Sequence, residues 1–108
     1  MDLKELTDEM NRFVTAKGWY EMGSGRPQTP RNLAVSLSLE TAEVLEHFQW
    51  KEEISDPKEF QGELADVALY LLQLASVTGV DLEKAILEKL RTNYNRQWDQ
   101  NQKAGENL

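Results

Sequence analysis

A chain of 108 residues with 19 Asp and Glu against 12 Lys and Arg, a formal charge of -7 and no cysteine fits one domain with a modest core that gains from oligomerisation. The acidic balance argues against a nucleic-acid polymer as partner, because binding a phosphodiester backbone takes Lys and Arg that displace counterions. The missing cysteine removes disulfides, thiolate metal sites and thiol nucleophiles.

The first helix is expected from about Asp2 to Lys17, with Leu3, Leu6, Met10, Phe13 and Val14 on one face and Gly18 as its stop. Its opening residues include Asp2, Lys4 and Glu5 in place of an apolar leader core. No apolar run reaches the roughly 20 residues of a membrane span, so the expectation is a soluble, cytoplasmic protein with no membrane partner. The segment from Gly18 to Thr29 contains Gly23, Gly25 and Pro27 and reads as a loop. It lacks the spacing and the Gly-Lys-Ser/Thr ending of a phosphate-binding loop.

Thr29 and Pro30 are a cap and a first-turn proline for a second helix extending to about Gln49. Asp56, Pro57 and Glu59 repeat the start signal, with Glu59 as the capping-box acid. This third helix runs to about Thr78 and stops at Gly79. Asp81 caps a fourth helix with Leu82, Ala85, Ile86, Leu90 and Tyr94 as its stripe, ending near Trp98. Residues 1–99 form the domain, and 100–108 are a polar, frayed tail. With no strand signal, the fold class is all-α, a four-helix bundle.

The chemistry sits in two acidic pairs. Leu33, Leu37, Val44 and Phe48 recur at helical spacing, with Glu40 in their lane and Glu43 on its edge. Phe60, Leu64, Val67, Leu71 and Leu74 mark the third helix's core face, flanked by Glu63 and Asp66. At an effective dielectric of about 20, two like charges roughly 4 Å apart repel by about 4 kcal/mol. Four carboxylates on facing helices therefore call for a cation. An all-oxygen donor set favours a hard ion, Mg or Mn, over Zn or Cu. His47 is the only histidine and is read as a surface or packing residue. A ferritin-like diiron centre would need Glu-x-x-His on two helices. Ser36 and Ser38 have no triad partner.

With these segments in place, the chain resembles the MazG-like, all-α nucleoside triphosphate pyrophosphohydrolases, closest to their dCTP-preferring branch. The resemblance covers about Leu6 to Trp98. It rests on Pro30-Arg31-Asn32-Leu33, Glu40-Thr41-Ala42-Glu43, Phe48-Gln49-Trp50-Lys51, Glu63-Leu64-Ala65-Asp66-Val67, and Lys89 with Asn93. It implies that Glu40, Glu43, Glu63 and Asp66 bind Mg. It also implies that Lys89 and Asn93, with Arg96, reach the phosphates, and that Trp19, Trp50 and Asn32 contact the base. Relatives often carry a histidine before the Pro-Arg-Asn run, where this chain has Gln28 and Thr29. The inserted Gly23 to Pro27 is a lid or a plain connector.

The activity the resemblance implies is Mg-dependent hydrolysis of a nucleoside triphosphate to monophosphate and pyrophosphate, with a deoxypyrimidine such as dCTP or modified dCTP as substrate, in nucleotide pool house-cleaning. Glu43 or Glu63 acts as the general base. A homodimer or homotetramer is expected. The alternative from another class is a non-catalytic helical module, binding nucleotides or serving as a regulatory partner.

Overall fold

The computed structural model describes residues 1–96 and contains four helices: α1 (Leu3–Ala16), α2 (Pro30–Glu46), α3 (Pro57–Val77) and α4 (Leu82–Asn95). There is no strand among the described residues. The positions at and beyond Trp98, including the expected helix end and tail, lie outside them.

Each helix starts where a short acceptor meets an orphan backbone donor. Asp2 accepts from the Glu5 N–H at 2.8 Å, and Glu5 returns the bond to the Asp2 N–H at 3.0 Å. Thr29, Asp56 and Asp81 accept from the N–H groups of Asn32, Glu59 and Lys84 at 3.1, 3.0 and 3.1 Å. Such a cap stabilises a helix by about 1 kcal/mol. α1 and α3 stop at Gly18 and Gly79, each at φ +74°, a conformation open to glycine at little steric cost. The N–H groups of Trp19 and Val80 then bond back to Val14 and Ala75 at 3.2 and 2.8 Å, closing Schellman-type ends.

α2 ends three residues before the expected Gln49. His47, Phe48 and Gln49 bond to the carbonyls three residues back, at 3.3, 3.0 and 3.2 Å. That tightened turn passes into Trp50 at φ 76°, which swings the chain toward α3.

α2 and α3 form an antiparallel hairpin. Gln73 donates to Gln28 at 2.7 Å at one end, and His47 meets Glu63 at 2.5 Å at the other. α1 packs on the C-terminal half of α3, with Asn11 donating to Ser76 at 3.0 Å. Met10, Val14 and Leu72 form the core there, flanked by Leu3, Trp19 and Leu82. Leu33 is the most deeply buried large side chain, 2 % exposed. Burying a side chain of that size contributes about 1.5–3 kcal/mol.

The expected α3 stripe holds in part, with Phe60, Val67 and Leu74 half-buried. Leu72, Gln73 and Ala75 are buried, whereas Leu64 and Leu71 are exposed. The cause is that α3 contacts both α1 and α2, so its buried arc turns from one neighbour to the other along its length.

α4 turns by 103° relative to α3 and packs against α1 rather than along the α2–α3 hairpin. Of its stripe, Leu82 is half-buried, while Ile86, Leu90 and Tyr94 are exposed. The radius of gyration is 17.7 Å, where a compact chain of this length has about 13 Å. Phe13, Leu39, Leu45 and Leu69 are exposed as well, so the chain by itself leaves much apolar surface uncovered. No single helix among the described residues is long and apolar enough to cross a membrane.

Candidate functional site

The antiparallel hairpin brings the two acidic pairs to one place. Glu40 and Glu43 stand one turn apart on α2, and Glu63 and Asp66 one turn apart on α3. Glu40 and Glu63 are half-buried, and Glu43 and Asp66 are exposed. The Glu40 carboxyl is held above its ordinary range, first by loss of surrounding water. The negative charges of Glu43, Asp66 and Glu63 add to this. Glu40 thus feels one carboxylate on its own helix, Glu43, and two across the helix pair, Glu63 and Asp66. That arrangement suits a divalent cation, whose charge would offset the repulsion and whose preference is for oxygen donors.

The structure gives His47 more than a packing role. Its ring meets Phe60 edge-on, with centroids 5.3 Å apart and planes at 80°, while its Nε2 lies 2.5 Å from Oε1 of Glu63. The two side chains are 10 % and 15 % exposed. Glu59 joins them: ligand atoms of His47, Glu59 and Glu63 all lie within 4.8 Å of one another. Glu59 was expected to close a capping box. Its N–H is indeed capped by Asp56, but α3 has no reciprocal bond from the Glu59 side chain. The i, i+4 spacing of Glu59 and Glu63 was a signal for a shared face, and the antiparallel return of the chain is what sets His47 beside them.

The aromatic candidates differ. Trp50 is 92 % exposed, its indole projecting from a backbone conformation rare for a bulky residue. Trp19 is half-buried. Phe13 of α1 meets it edge-on at 5.7 Å, and the Arg26 guanidinium of the 18–29 loop lies 5.4 Å from its ring centroid. Asn32 donates one amide hydrogen to the Pro27 carbonyl at 2.9 Å, tying the same loop to the start of α2.

Beneath that loop runs a polar chain. Tyr20 donates to Asn11 at 2.6 Å and Gln73 donates to Gln28 at 2.7 Å. Burial raises the Tyr20 hydroxyl, against a smaller lowering by Gln73. Gln28, two residues before Pro30, holds the buried Gln73 amide and donates to the Arg26 carbonyl at 2.5 Å.

Lys89 lies in the middle of α4, Asn93 in its last turn, and Arg96 is its C-cap. Lys89 is exposed, and Asn93 keeps a buried Oδ1 with no hydrogen-bond donor. Because α4 packs on α1, the chain does not lay these residues along the acidic hairpin. A groove of about 720 Å³ between the start of α1 and α4 is lined by charges of both signs, among them Asp2, Lys4, Glu88 and Arg91, and contains none of the candidate residues.

Comparison with known proteins gives the family of the chain. The model of the MazG-like family matches residues 35–108. dCTP pyrophosphatase 1 of Rattus norvegicus is 36 % identical over 104 residues, covering 88 % of this chain and 56 % of the relative. The Homo sapiens protein of the same name is 35 % identical over 104 residues, with the same coverage of 88 % and 56 %. The chain therefore spans about half the length of the curated relatives it matches. Among solved structures, a pyrophosphatase from Archaeoglobus fulgidus DSM 4304 superposes with a TM-score of 0.68 at 37 % identity, covering 84 % of this chain and 87 % of that one.

Proposed function

The chain belongs to the MazG-like family, and from that premise we propose that it is a Mg-dependent nucleoside triphosphate pyrophosphohydrolase acting on a deoxypyrimidine triphosphate such as dCTP or modified dCTP, in the removal of unwanted nucleotides from the pool. The observation that carries this reading is the half-buried Glu40 on α2 facing Glu43, Glu63 and Asp66. Relatives named dCTP pyrophosphatase 1 and a pyrophosphatase of similar fold support it.

Glu40, Glu43, Glu63 and Asp66 would hold the divalent ion, with Mn as a substitute. When bound, it supplies charge neutralisation for the triphosphate and a more acidic water. Water adds across the α–β anhydride, giving a nucleoside monophosphate and pyrophosphate. A carboxylate of Glu43 or Glu63 accepts the proton released by the water. Glu63 shares an oxygen with His47, which leaves the exposed Glu43 as the freer acceptor.

Trp50 stacks on the base, and Trp19 and Asn32 border the pocket from the loop side. Lys89, Asn93 and Arg96 stabilise charge on the leaving pyrophosphate. Since α4 lies away from the acidic hairpin of its own chain and carries exposed Ile86, Leu87 and Leu90, these groups meet the site of a second copy in a homodimer or homotetramer.

The test is incubation of the protein with deoxy- and ribonucleoside triphosphates and Mg, with separation of products and a Glu40→Ala, Glu63→Ala double variant as control. Monophosphate from the parent protein alone is the expected result. No turnover across the panel, with Mn also supplied, sinks the catalytic reading.

A further inference from the structure

We infer that His47, Glu59 and Glu63 form a second cation position, beside the four-carboxylate cluster and sharing Glu63 with it, that takes a borderline divalent ion such as Zn2+ or Co2+ in preference to Mg2+. The argument starts from the ligand atoms. Two carboxylates one turn apart at the start of α3 and an imidazole at the end of α2 lie within 4.8 Å of one another.

Around a tetrahedral ion with bonds of about 2.1 Å, neighbouring ligand atoms sit about 3.4 Å apart. The 2.5 Å pair of His47 and Glu63 would open by about 1 Å on this geometry, and the exposed Glu59 is free to swing inward.

The donor set decides the class of ion. A neutral imidazole with two carboxylates offers nitrogen, which suits Zn2+ and Co2+ and adds little for Mg2+. The ring is also pre-oriented. Phe60 packs edge-on against it, Phe48 packs edge-on against Phe60 at 5.9 Å, and the His47 side chain is only 10 % exposed. A ligand fixed in this way loses little rotamer freedom on binding. Glu63 is shared with the carboxylate cluster, so the two positions have one ligand in common. The inference does not require the hydrolase reading and stands if no nucleotide is cleaved.

The test reads the imidazole itself. Because the chain has one histidine, untagged protein labelled with 15N at histidine gives a single set of ring-nitrogen signals. Zn2+ is expected to move the Nε2 signal with saturation at one equivalent, whereas Mg2+ in large excess leaves it in place. Glu59→Gln, an exposed change that spares the backbone cap, should weaken Zn2+ binding by about tenfold or more, the loss seen even for outer-shell partners. His47→Leu should remove the Zn2+ site while Mg2+ binding, followed by calorimetry, persists. A Zn2+ titration that leaves the ring signals unmoved, or Zn2+ affinity unchanged in Glu59→Gln, overturns the proposal. Both observations stand whether or not His47→Leu folds.

Discussion

Trp50 offers the sharpest separation of stability from function. Its backbone sits at φ 76°, where an L-residue with a Cβ pays about 1–2 kcal/mol, and its indole is 92 % exposed. Replacing it by Asn, which tolerates this region several-fold better, removes most of that strain and very little packing. The net expectation is a gain of about 1 kcal/mol, or a rise in Tm of about 4–8 °C for a domain of this size. Circular-dichroism melting of ligand-free protein measures it. In the same variant, losing one base stack worth about 1–3 kcal/mol should weaken nucleotide binding by about 5-fold to 150-fold, read by calorimetry. A variant that melts at or below the parent's temperature refutes the strain argument. Unaltered nucleotide affinity refutes the role given to the indole.

Other consequences follow from the same structure. Glu40→Gln removes one charge from the crowded cluster, so the metal-free protein should be as stable as the parent or more so, while the stabilisation brought by Mg should be largely lost; melting with and without the ion decides it. Glu40 is held above its ordinary range by burial first, then by Glu43, Asp66 and Glu63, so the folded state keeps a proton that the unfolded chain releases. Its contribution is present at acidic pH and is lost as pH rises through the folded-state value, and urea midpoints of metal-free protein should fall over that rise, less steeply in Glu40→Gln. Leu33→Ala opens a cavity at the most buried large side chain and should cost about 2–5 kcal/mol, measurable by denaturant unfolding. Ile86→Glu with Leu90→Glu places charges on the exposed face of α4 and should shift the protein toward monomer in sedimentation; an unchanged mass would count against that face as a contact.

The helix starts were legible because caps are local: Thr29, Asp56 and Asp81 each take a backbone N–H three residues on, and this needs only the neighbouring sequence. Gly18 and Gly79 were legible stops for the same reason. The end of α2 was not, since the turn through His47 to Trp50 puts a tryptophan where the backbone favours glycine. The pairing of Glu40 with Glu63 and Asp66 could be anticipated from spacing plus one short connection. The partner of His47 depends on how far the hairpin's two arms are offset, and periodicity within either helix does not contain that information. The burial of Gln73 was hidden too, because a glutamine reads as surface until Gln28 arrives from the loop to satisfy it. The direction of α4 is set at the Gly79 turn and by contact with α1, which an amphipathic stripe by itself leaves open.

The central claim is tested most directly by 31P NMR of dCTP incubated with the protein and Mg. The account predicts appearance of dCMP and pyrophosphate together, with no dCDP, and loss of both signals in the Glu40→Ala, Glu63→Ala variant. Release of inorganic phosphate with dCDP, or an unchanged dCTP spectrum for the parent protein, would contradict it.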